Sequence, residues 1–150
     1  MNSQKILPAN FGDALKLMNG MEIYVGCCEG RSYFRGKLTN IYEKFITLLE
    51  YDNEHTIYLS NICFVILYDK DKNHLMPLES TNSELFERFH YFLNKKMEIT
   101  KVNRSTWVVF GKLEFIEDDY LVMLEDSEKF VTYVHTLGDF YIKTLRVFDE

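Results

Sequence analysis

The sequence predicts an α+β, mainly β fold: two tandem small barrels, each an N-terminal helix followed by five short, strongly bent antiparallel strands. Three observations predict it. The stretch Met21–Tyr68 is written a second time over Met97–Leu145. Gly36-Lys37-Leu38 answers to Gly111-Lys112-Leu113 at an offset of 75 (111 − 36), and Ile41/Ile116, Leu49/Leu124, Glu50/Glu125 and Tyr58/Tyr133 keep that offset. Each copy is a run of short alternating apolar segments broken by turn residues, and each is preceded by a helical pattern. The expected units are 1–76 and 77–150. Units of about seventy residues bury little surface alone, so they pack on one another.

Residues 1–10 are a lead-in containing Pro8. From Asn10 onward, Phe11, Ala14, Leu15, Leu17 and Met18 recur at helical spacing, and Asn19-Gly20 supplies the stop. Met21–Val25 is strand one, and its Met21-Glu22-Ile23 matches Met97-Glu98-Ile99 at an offset of 76 (97 − 21). Strand two, Ser32–Asn40, alternates Phe34, Gly36 and Leu38 with Tyr33, Arg35 and Lys37. A glycine recurring in mid-strand at Gly36 and Gly111 marks a sharp bend or a close backbone approach.

Lys44–Tyr51 and His55–Leu59 are strands three and four, joined by the turn Asp52-Asn53-Glu54. Strand five, Ile62–Tyr68, is apolar throughout, so something covers both of its faces. Asp69–Leu78 is a polar linker with Pro77. A helix over Asn82–Asn94 follows, capped near Ser83, with Leu85, Phe86, Phe89, Phe92 and Leu93 as its stripe and Lys95-Lys96 at its end. The second copy then repeats the five strands.

Composition narrows the function. Residues 1–78 carry 8 Lys/Arg and 9 Asp/Glu, net −1, and residues 79–150 carry 9 and 14, net −5. A protein held by phosphate neutralisation is usually basic, so any nucleic-acid contact here is local. The N-terminus reads as no leader, and no apolar run approaches the roughly 18 residues of a membrane span; a cytoplasmic, non-membrane protein is expected. Cys27, Cys28 and Cys63 lack metal-ligand spacing and read as reduced thiols on strands. No nucleophile-base order, phosphate-cradling loop or zinc pattern is present, so the expectation is no enzyme, no cofactor, no metal and no small-molecule substrate. The acidic run Glu117-Asp118-Asp119 reads as a solvated turn.

Gly36 to Ile46 and Gly111 to Leu121, each a glycine in strand two leading into a hydrophobic strand, resemble the first motif of the Sm-like (Sm, LSm and Hfq) superfamily. Tyr133-Val134-His135-Thr136-Leu137 is similar to the second motif of its Hfq branch. The resemblance implies RNA binding and assembly into rings, which two fused units would complete as a trimer of chains. Tyr42 and Glu117 stand at the family's aspartate, Ile46 and Leu121 at its base-contacting asparagine, and Val134 at its lysine.

The leading expectation is therefore a non-catalytic RNA-binding or RNA-regulatory factor. Its contacts would be Tyr133 and His135, with Arg31, Tyr33, Arg35, Arg104 and Trp107 as basic-aromatic hairpins that stack bases and hold phosphates. The alternative is a protein-interaction or assembly module without RNA. It would self-associate, as a ring or dimer, through a strand edge carrying Ile62, Phe64, Ile66 and Tyr68.

Overall fold

A computed structural model describes residues 10–29, 33–68, 84–102, 106–125, 130–136 and 141–148. Helix α1 (Phe11–Lys16) precedes β1 (Glu22–Cys27), β2 (Tyr33–Ile41), β3 (Phe45–Glu50), β4 (Asn53–Tyr58) and β5 (Ile62–Tyr68). Helix α2 (Glu84–Phe89) precedes β6 (Lys96–Val102), β7 (Thr106–Ile116), β8 (Tyr120–Leu124), β9 (Phe130–His135) and β10 (Tyr141–Phe148). The linker at 69–78 lies outside the described residues.

The two separate barrels are not formed. All the strands join one antiparallel sheet in the order β10-β6-β7-β8-β9-β5-β1-β2-β3-β4, which is open at β10 and β4. Closing the first barrel would need β4 against β5, and the second β9 against β10. Instead β5 fills its second edge with β9 of the other half, pairing Val65 with Tyr133 and Ile66 with Thr132. The apolar fifth strand thus lies in mid-sheet between β1 and β9, with Val65 and Leu67 in the main core and Cys63, Phe64 and Ile66 in a cluster with Trp107, and this packing on two faces explains its unbroken hydrophobic run.

The two halves nevertheless repeat the same backbone devices. A register shift falls between Leu38 and Asn40 in the β2–β3 pairing and between Leu113 and Phe115 in the β7–β8 pairing, leaving Thr39 and Glu114 as equivalent bulge positions. A Cβ at Gly36 would collide with the carbonyl oxygen of Leu49, and one at Gly111 with that of Leu124, so only glycine lets these strands approach. The first strands align differently from the sequence match. Ile23 pairs with Gly36 and Met97 with Gly111, an offset of 74 (97 − 23) rather than 76. A two-residue slip keeps every side chain on its face, so the MEI match is a coincidence that the alternation permits.

Both helices end alike. Gly20 (φ 85°) and Asn94 (φ 64°) take the left-handed conformation, and their N–H groups donate to the Leu38 and Leu113 carbonyls at 2.8 and 2.7 Å. The helix expected over Asn82–Asn94 is shorter, because a 3₁₀ turn, His90–Phe92, follows α2 before Asn94 redirects the chain.

The main core draws on both halves. Phe11, Ala14, Leu15 and Met18 from the α1 region are at most 1% exposed against Ile23, Val25, Leu38, Ile46 and Leu48. Phe115, Tyr120, Val122, Val131 and Tyr133 from the second half complete that cluster. A smaller core beneath Phe92 and Leu93 contains Met97, Ile99, Leu113, Leu121, Met123 and Val134. Strands β8 and β9 therefore form a wall with a core on each face. Burying each large side chain contributes roughly 1.5–3 kcal/mol, so this wall holds the halves together.

The cysteines also differ from expectation. Cys28 and Cys63 form a disulfide with Cα atoms 5.8 Å apart, and Cys27 is buried outside it. The β1–β5 register shift after Gly26 brings the residue after β1 beside Cys63, a proximity no sequence spacing reveals.

Candidate functional site

The residues singled out from the sequence scatter in the fold. His135, at the end of β9, is 6% exposed. Its Nδ1–H donates to the Ile62 carbonyl at 3.0 Å, the carbonyl fixing the tautomer. Its ring stacks on Phe11, with centroids 4.3 Å apart and planes 11° from parallel. Tyr133 is fully buried and stacks on Tyr120 at 5.8 Å. Neither side chain reaches a solvent-facing rim: Phe11 of α1 lies over His135, and Tyr133 belongs to the main core beside Tyr120.

Trp107 joins the halves. Its Nε1–H donates to the Cys27 carbonyl at 3.3 Å, and its ring meets Phe64 edge to face at 4.7 Å, beside Cys28 and Cys63. Arg31 and Arg104 lie outside the described residues. Of the strand edge expected from Ile62, Phe64, Ile66 and Tyr68, nothing remains free in the backbone: β1 takes one side of β5 and β9 the other, with Tyr68 opposite Phe130.

Two accessible surfaces combine aromatic rings in mutual contact with an exposed cation. On β1 and β2, Arg35 lies over the Tyr24 ring at 5.0 Å, and Tyr24 packs against Tyr33 at 5.7 Å. The Glu22 carboxylate accepts from Arg35 Nε at 2.9 Å and holds the guanidinium above its usual pKa range. That pairing already occupies one charge a phosphate would use.

The second surface is at the β2–β4 corner. Tyr42 and Phe45 have centroids 4.6 Å apart, Phe45 and Tyr58 5.6 Å. Tyr42 and Tyr58 are 48% and 56% exposed, and Lys44 between them is exposed as well. This row borders the outer edge of β4. Leu59 N–H donates to Lys44 O, and alternation along the pair then leaves the N–H groups of Glu54, Thr56 and Tyr58 pointing away from β3. The sequence carried a signal for this corner, since Phe45 and Tyr58 are 75 residues before Tyr120 and Tyr133 (120 − 45 and 133 − 58). Only the structure shows that one pair is covered and the other bare.

Tyr120 is fully buried, and burial, reinforced by the charges of Glu117 and Asp119, pushes its phenol well above the ordinary range. Asp119 Oδ2 accepts from the Phe11 N–H at 2.6 Å, so the acidic turn anchors the start of α1. Among the described residues, no cluster of three or more His, Cys, Asp or Glu is placed to hold a metal ion. No described helix is long and apolar enough to cross a membrane. Compared with protein-family models, curated proteins and solved structures, the chain matches none. The Sm-like resemblance therefore rests on its short motifs alone.

Proposed function

We propose that the chain is a non-catalytic assembly module that associates edge to edge through β4 and β10. The observation that supports this is the β5–β9 junction: the fourth strand of one half pairs with the fifth strand of the other, antiparallel, over Phe64–Tyr68 and Phe130–Val134. The same junction leaves one fourth strand, β4, and one fifth strand, β10, at the ends of the sheet. Each end carries one unmatched half of an interface that the chain already makes internally. Such heterologous edges extend an assembly or close it into a ring.

Light scattering over a wide concentration range tests the proposal, and a mass above that of one chain is expected. Thr56→Pro removes an outward N–H from β4 without touching its bonds to β3, and should shift the protein towards the single chain. A single-chain mass at every concentration would overturn the proposal.

A second reading, RNA binding, draws on exposed Arg35 and Tyr33 with half-buried Tyr24 in contact between them, a cluster whose rings and cation suit base stacking. With Tyr133 and His135 buried, this is the surface on which it rests. An electrophoretic shift with short RNAs at low salt is expected to disappear in Arg35→Ala; no shift at any concentration removes the reading.

A further inference from the structure

We infer that the Tyr42, Phe45 and Tyr58 patch is the docking site for helix α2 of a second copy of this chain, an inference that rests on the edge-to-edge assembly proposed above. The argument comes from the repeat. In the second half, the pair equivalent to Phe45 and Tyr58 is Tyr120 and Tyr133, stacked at nearly the same separation, 5.8 against 5.6 Å. There the pair is sealed. Phe11 of α1 lies 6.2 Å from the Tyr120 ring, and the strand that follows in the same half, β5, pairs with β9 beside it. Helix and fifth strand of one half therefore cover the third and fourth strands of the other together.

The uncovered copy of that wall is β3 and β4, and the helix and fifth strand that repeat α1 and β5 in the chain order are α2 and β10. At the offset of 74 that relates the helix ends (Asn94 to Gly20), Leu85 takes the place of Phe11 (85 − 11) and Glu84 that of Asn10 (84 − 10).

Charge selects the same occupant. In the internal junction the turn offers Asp119, which receives the Phe11 N–H. At the patch the equivalent residue is Lys44 (119 − 75), exposed and cationic. The helix that would reach it opens with exposed Glu84, whereas the α1 counterpart is the neutral Asn10. The Lys44 side chain cannot accept a helix N–H but can pair with a carboxylate. The substitution of acid by base at the turn is thus matched by a substitution of neutral by acid at the helix.

Sedimentation equilibrium on the full chain tests this. Lys44→Glu should raise the dissociation constant about tenfold, because it sets like charges against each other. Lys44→Glu combined with Glu84→Lys should restore association. Tyr58→Ser should weaken it by about tenfold or more through loss of an aromatic anchor, with the monomer's thermal unfolding unchanged. If the native chain does not associate, the edge proposal falls and this inference with it. If it associates and Thr56→Pro disrupts it, while Lys44→Glu and Tyr58→Ser leave it unchanged, the edges assemble without α2 and this inference alone is overturned.

Discussion

The β8–β9 wall and the β3–β4 wall are built on one pattern and live in different surroundings. Tyr133 is fully buried, whereas Tyr58, its counterpart, is 56% exposed. The residues around them differ to match. Phe115, Val122 and Val131 of the covered wall correspond, at the offset of 75, to Asn40, Thr47 and Thr56 of the bare one. Thr39 and Thr47 satisfy each other's hydroxyls at 2.8 Å where the second half has Glu114 and Val122. The backbone devices, the bulge and the glycine approach, are common to both. What distinguishes the walls is the chemistry of the face, apolar where α1 and β5 complete it and aromatic-polar on β3 and β4, where Thr56 and Tyr58 are exposed and Thr47 is buried. A polar face makes any association there weaker than the internal junction, since less apolar area leaves water.

The largest expected effect tests this difference directly. Tyr133→Ala removes a fully buried ring and should destabilise the chain by about 3–5 kcal/mol, while Tyr58→Ala should cost under about 1 kcal/mol in the monomer. Urea denaturation measures both, and equal losses would break the comparison. Next comes the cross-link, which ties β1 to β5 in the first half; Val102, the residue at the place of Cys28 (102 − 74), provides no partner for one in the second. Cys63→Ser should cost about 3–4 kcal/mol, the entropy of a loop with 35 residues of separation. Thiol titration in denaturant should find one free thiol before reduction and three afterwards; three at the outset would remove the cross-link from the account.

The smallest effect appears only in alkali. The native state holds the Tyr120 phenol protonated and the unfolded chain ionises near the ordinary tyrosine pKa of about 10, so unfolding releases a proton above that pH. Stability contributed by the neutral phenol is present below pH 10 and is lost as the pH rises past it. Tyr120→Phe should flatten that loss relative to the native chain. Phe45, the counterpart, carries no hydroxyl, so Phe45→Leu should leave the alkaline slope unchanged.

Much of the fold was legible because strand signals are local. Alternation placed β2 and β3 within a residue or two of their observed ends, and the paired glycines Gly36 and Gly111 announced the close approaches seen at Leu49 and Leu124. The site was far less legible. His135 and Tyr133 look alike whether a strand faces water or a core, and it is tertiary packing that buries them, the Phe11 ring 4.3 Å from that of His135 and the Tyr120 ring 5.8 Å from that of Tyr133. Trp107 carried a signal for contact but not for its partner, the Cys27 carbonyl and the Phe64 ring of the other half.

By itself the sequence determined the repeat, the mainly β composition of each half and the two helices before the strands, because periodicity and turn chemistry act over a few residues. It also determined that strand five would be covered on both faces, since an unbroken apolar run leaves no solvent side. Only the tertiary structure decided which strand pairs with its second edge. An antiparallel strand with free backbone groups accepts any edge of suitable register, and choosing β9 over β4 made one open sheet of two expected barrels. That choice depends on contacts between residues 62 to 73 apart, from Tyr68 with Phe130 (130 − 68) to His135 with Ile62 (135 − 62), which no local pattern encodes.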